Sequence, residues 1–85
     1  MKEIKYVIKD REGIHARPAG LLVKLAGQFA SSITIMKDAK KVDAKKIFSV
    51  MSLGAKQGEE ITLLIEGDDE ANAANRLQEF FEKNL

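Results

Sequence analysis

One stretch of the chain gathers residue types that could carry a reaction: Gly13-Ile14-His15-Ala16-Arg17-Pro18. His15 is the only histidine among 85 residues, and an imidazole is a nucleophile that works near neutral pH. Pro18 suits the first turn of a helix, where its missing N–H costs nothing. A helix is therefore expected to open at Ala16, with His15 at or next to its N-cap. The first N–H groups of a helix lack internal partners. They also form the positive end of its dipole, which stabilises an anion by ~0.3–2 kcal/mol. Ala16 and Arg17 would supply such amides, and Arg17 adds a planar guanidinium that fits phosphate oxygens. A nucleophile, backbone donors and a fixed cation within six residues point to a phosphoryl group held on the ring.

The imidazole has to be neutral to attack phosphorus. The positive helix end and Arg17 both disfavour the imidazolium. The N–P bond formed is labile, so the group can leave again. Phosphorylation would bring about −1.5 to −2 charges to a place where donors already point, and little refolding is expected. Two plainer readings compete: a histidine that merely caps the helix, and an exposed arginine with no task.

The elements that must position this segment are legible from hydrophobic period. Ile4, Tyr6 and Ile8 alternate with Lys5, Val7 and Lys9, the pattern of a half-buried strand. Asp10 to Gly13 reads as a polar loop. Ala19, Leu22, Val23, Ala26 and Phe29 recur at helical spacing, with Gly27 near the helix end. Gly20 inside it costs ~1 kcal/mol relative to Ala; a close partner contact or simple tolerance would account for it.

Ser32 to Lys37 alternates again, Asp38-Ala39 makes a turn, and Lys40 to Asp43 is a short return strand. Ile47 to Leu53 gives one to two helical turns closed by Gly54. Glu60 to Glu66 is a further strand. Gly67-Asp68-Asp69 breaks the chain and offers an N-cap to a last helix over Glu70 to Asn84. The order β-α-β-β-α-β-α predicts a two-layer α+β domain spanning residues 1–85. Its largely antiparallel sheet would be covered by helices on one face. The open face would carry Val7, Thr34, Met36, Thr62 and Leu64.

Composition narrows the function classes. At 85 residues the core is thin and a deep enclosed pocket has little room. The net charge of +1 gives no global field toward nucleic acid or an anionic membrane. Five lysines lie between Lys37 and Lys46, but no aromatic is interleaved, so base stacking is unsupported. There is no cysteine and one histidine, so neither a disulfide framework nor a metal centre is expected. No cofactor is implied. No signal peptide or membrane span is read, and the expectation is a cytoplasmic protein.

Gly-Ile-His-Ala-Arg-Pro-Ala followed by a helix resembles the phosphorylation site of HPr, the histidine-containing phosphocarrier of the bacterial sugar phosphotransferase system. The resemblance extends through Val42 to Gly54, the Gly58-Glu59-Glu60 turn and Glu66 to Glu70, so it covers essentially the whole chain. It implies an open-faced sandwich, a four-stranded antiparallel sheet with three helices on one side. It also implies a phosphocarrier rather than a true enzyme. The active histidine falls on His15, which would accept phosphoryl from Enzyme I and pass it to the IIA domains of sugar transporters. The family arginine that positions and releases the group falls on Arg17. The alternative is an HPr-like regulatory or binding module with little phosphoryl relay.

The chain departs from the family at position 46. Many HPr proteins carry a serine at the start of the short second helix, phosphorylated by a dedicated kinase. Lys46 stands there instead, so that regulatory role is not carried over, and Ser49 and Ser52 are the wrong positions for it. An apolar patch of Leu21, Ile47, Phe48 and Met51 is expected beside His15 as the partner-docking surface. Ile47 is equally compatible with the core. Lys24, Lys40, Lys45 and Lys46 would favour acidic partners, with Lys40 and Lys41 more simply a solvated face. A monomer is the default expectation.

Overall fold

The structure, a computed structural model, describes residues Met1–Leu85. The elements in chain order are β1 (Lys2–Val7), α1 (Ala16–Ala26), β2 (Ser32–Lys37), β3 (Lys40–Asp43), α2 (Ile47–Ser52), β4 (Glu60–Glu66) and α3 (Glu70–Asn84). The strands form one antiparallel sheet in the order β1-β4-β2-β3. This is the two-layer α+β arrangement expected from the period changes, and the open-faced sandwich that the resemblance implies.

Alternation decides which sheet face is covered. Ile33 and Ile35 of β2, and Ile61, Leu63 and Ile65 of β4, are buried. Their neighbours Thr34, Met36, Thr62 and Leu64 are only half-buried on the opposite face, with Val7 exposed there. Pairing Ile35 with Leu63 and Ile33 with Ile65 stacks the inward side chains in rows. A one-residue slip would turn the whole apolar set outward.

The helices cover the apolar face with narrow stripes. α1 contributes Ala19, Leu22 and Ala26; α2 contributes Val50; α3 contributes Ala73, Leu77 and Phe81. Tyr6 of β1 stacks on Phe81 with ring centroids 5.5 Å apart. Its hydroxyl is buried without a hydrogen-bond partner, and burial, then the Glu82 charge, push the phenol's pKa up.

Three local details differ from the sequence reading. Phe29 lies beyond α1, which ends at Ala26 with Gly27 as its C-cap, yet Phe29 is still buried. Its apolar spacing reflected a core position rather than a helical one. Asp69 occupies the N-cap of α3 but makes no side-chain cap bond. Its carboxylate instead accepts hydrogen bonds from the Ser31 hydroxyl and the amides of Ala30 and Ser31. These donors, the Ser31 hydroxyl foremost, hold its pKa below the usual carboxylate value. Lys40 is exposed, as expected of a solvated face, but its Nζ also donates to the Ser52 carbonyl at 2.9 Å, and Lys37 reaches the Gly54 carbonyl at 3.1 Å. Cations there satisfy the bare carbonyl end of α2.

Candidate functional site

The loop ahead of α1 is pinned from two sides. The amides of Lys9 and Asp10 both donate to the main-chain oxygen of Leu85, beyond α3. Gly58 N–H donates to the Ile8 carbonyl and Ile14 N–H to the Ala55 carbonyl, at 2.8 and 3.0 Å. Gly13 makes this approach possible. Its φ is +69°, and a Cβ built there would stand 2.3 Å from the Ala55 carbonyl oxygen. Only glycine meets both conditions without a shift.

His15 is the N-cap of α1, with extended backbone (φ −96°, ψ −173°). The Ala19 amide donates to its carbonyl at 3.0 Å, closing the first helical turn. Ile14 and Ala19, on either side of the cap, both sit in the core, the arrangement of a hydrophobic staple. Pro18 is the third helical residue and buried. The orphan donors at this end are therefore the amides of Ala16 and Arg17, neither of which has a backbone partner. Proline at the third position has no N–H to add, so these two amides are the donors left at this end.

The His15 side chain makes no cap hydrogen bond and is 35% exposed. That removes the reading of a merely capping histidine. Arg17 is fully on the surface and forms no ion pair within the chain. Ala16 is exposed as well. Imidazole, two amides and a free guanidinium thus share one accessible helix end.

Besides the positive neighbours expected from the sequence, two negative groups flank the ring. Asp10 Oδ1 lies 3.9 Å from His15 Nε2, and Glu12 Oε2 lies 3.9 Å from Nδ1. Spacing alone, with Glu12 three residues before His15, does not bring either carboxylate to the ring; the turn that Asp10 opens by accepting from the Glu12 amide at 2.8 Å does.

The expected docking surface divides in two. Phe48 is 84% exposed, with Leu21 at 41% and Met51 at 37%. Ile47 is half-buried and packs against the core. A Cβ at Gly20 would meet Ile47 Cδ1 at 3.7 Å, an ordinary contact, so tolerance accounts for that glycine. Lys24 and Lys46 are exposed, whereas Lys45 spends its ammonium on the Phe29 carbonyl at 2.8 Å. The two grooves of the surface lie elsewhere, one along β2 and β3 and one at the β2–β3 turn, and neither includes His15. The site lies outside both grooves. No helix is long and apolar enough to cross a membrane.

Residues 2–83 match the family model described as the PTS HPr component phosphorylation site. The chain belongs to the HPr family. It is 47% identical over 83 residues to the HPr-like protein Crh of Halalkalibacterium halodurans, covering 98% of this chain and 99% of that one. Among solved structures, HPr-C-His from Thermoanaerobacter tengcongensis superposes with a TM-score of 0.92 at 49% identity, over 96% of this chain and 92% of that one. The Bacillus subtilis catabolite repression protein Crh, solved as a swapped dimer, superposes with a TM-score of 0.78 at 38% identity, over 100% of this chain and 98% of that one. The four-stranded sheet with three helices is therefore the HPr fold.

Proposed function

We propose that this HPr-family chain is a phosphocarrier: His15 accepts a phosphoryl group from phosphorylated Enzyme I and delivers it to the IIA domains of sugar transporters. The observation that carries this reading is an uncapped, accessible imidazole at a helix start that also presents the free Ala16 and Arg17 amides and the Arg17 guanidinium. The incoming oxygens meet donors whose positions are already fixed, so charge is stabilised without reorganisation. A site outside the grooves suits this chemistry, because donor and acceptor are themselves proteins.

Of the two ring nitrogens, Nδ1 is uncovered at lower cost. Glu12, which faces it, is 71% exposed, whereas Asp10 beside Nε2 is held by the Glu12 amide. Leu21, Phe48 and Met51 would seat partners, with Lys24 at the rim favouring acidic ones. The protein would work in the cytoplasm as a monomer. The similar Bacillus subtilis Crh, solved as a swapped dimer, is the opposing case, and sedimentation equilibrium separates the two states.

A second reading follows from the 47% identity to a Crh protein: a regulatory module with little relay. Lys46 speaks against the family's serine switch, since an ammonium cannot accept that phosphate. With phosphoenolpyruvate and Enzyme I, the carrier gains acid-labile, base-stable phosphate, and His15→Ala abolishes it. Partner capture without label supports the regulatory reading. Label on a hydroxyl after incubation with the serine kinase and ATP would refute the lost switch.

A further inference from the structure

We infer that Asp10 is a positioning residue for the His15 chemistry: its carboxylate keeps the Nε2 proton on the ring while the phosphoryl group is held, and so keeps that group transferable. The inference rests on His15 being the phosphoryl acceptor.

The step balances without a proton leaving the ring. A neutral imidazole with its proton on Nε2 attacks phosphorus through the Nδ1 lone pair. The Nδ1–P bond forms, and the bond from phosphorus to the donor protein breaks, its electron pair leaving with the donor. The ring now carries PO₃ on Nδ1 and a proton on Nε2, so it is cationic. When an acceptor attacks phosphorus, the Nδ1–P pair returns to the ring and neutral imidazole departs. Loss of the Nε2 proton in between would leave an imidazolide as the leaving group, which is far poorer. Transferability therefore depends on the proton at Nε2.

Asp10 is placed to hold it. Oδ1 stands 3.9 Å from Nε2, within ion-pair range. Three bonds fix the residue: its amide donates to the main-chain oxygen of Leu85, its carbonyl accepts from Gly13 N–H, and Oδ1 accepts from Glu12 N–H. Its side chain is 32% exposed, less than half the 71% of Glu12. Glu12 makes no such anchored contact and faces Nδ1, where it repels the arriving dianion until it swings aside. One carboxylate is thus anchored beside the proton, and the other stands exposed beside the position of the phosphorus.

Asp10→Asn tests this, because the amide oxygen can still accept from Glu12 N–H while the charge is gone. A single charge at this distance on a part-exposed site is worth about a two- to five-fold change. The wild-type and variant proteins, labelled with Enzyme I and phosphoenolpyruvate, are compared at fixed neutral pH. Phosphohistidine half-life should lengthen two- to five-fold in Asp10→Asn, and transfer onward should slow equally. Imidazole ¹⁵N shifts of the labelled protein should show Nε2 less protonated, and Asp10→Glu should restore it. Wild-type label on His15 with unchanged half-life and Nε2 shift in Asp10→Asn overturns the role of Asp10 alone. Absence of label on wild-type His15 overturns the carrier reading and this inference together.

Discussion

Replacing Gly13 by alanine should damage both the fold and the site, and its cost follows from the backbone. At φ +69° an L-residue pays ~1–2 kcal/mol for the left-handed conformation. The new Cβ would lie 2.3 Å from the Ala55 carbonyl oxygen and 2.9 Å from Lys56 Cα, both backbone atoms that cannot rotate away. The 55–56 backbone must retreat, and that same Ala55 oxygen is the acceptor of the buried Ile14 amide. Weakening this bond costs a further ~1–3 kcal/mol. A loss of about 2–5 kcal/mol lowers Tm by roughly 10–30 °C in a domain of this size. Gly54 is the internal control. It has φ +61° but nothing within 4 Å of an added Cβ, so Gly54→Ala should lose only the backbone share. Thermal and urea unfolding followed by circular dichroism measures both. Equal losses in the two variants, or a Gly13→Ala drop under about 3 °C, would refute the steric argument. Phosphorylation of folded Gly13→Ala at the wild-type rate would refute the claim that this contact positions His15.

Phe48→Ala should leave stability within ~0.5 kcal/mol, since the ring is on the surface, yet weaken partner binding about ten-fold or more by calorimetry, as loss of an aromatic anchor does. Tyr6→Phe removes a buried hydroxyl with no partner and should raise stability by ~0.5–1 kcal/mol in urea titration. The carboxylates of Asp69, Glu59 and Glu70 all have pKa values lowered in the fold, by the Ser31 hydroxyl, the Lys37 ammonium and the chain's amino terminus respectively. Their contribution is therefore complete above the ordinary carboxylate values of 3.8 and 4.5 and is lost as pH falls through the lower folded values. Tm should hold from pH 7 to about 5 and fall below about 4; Asp69→Asn should be destabilised at neutral pH and show a flatter acid limb.

The sheet and helices were legible because period two and period 3.6 are strong signals when one face is buried. Ile33, Ile35, Ile61, Leu63 and Ile65 all fell on the covered face, and Leu22, Leu77 and Phe81 on the helix stripes. Phe29 shows the limit: apolar spacing marks burial, and the chain left the helix before reaching it. Asp69 and Lys40 show another. Local rules gave Asp69 a cap and Lys40 no contact on its solvated face, whereas both side chains find partners, 38 and 12 residues away. The helix start at His15 was legible from Pro18 and the Gly-Ile-His run. The carboxylates of Asp10 and Glu12 beside the ring were not, because their approach depends on a turn held by Leu85 and Ala55.

The central claim is that His15 takes up a phosphoryl group and gives it away again. Phosphorus NMR on the labelled, Enzyme I-free protein, before and after adding a IIA domain, addresses it in one experiment. A single N-phosphoryl resonance should disappear as an equal signal grows on the IIA domain, with no resonance at all in His15→Ala. A resonance that stays on this chain through the addition, or that survives loss of the imidazole, would contradict it.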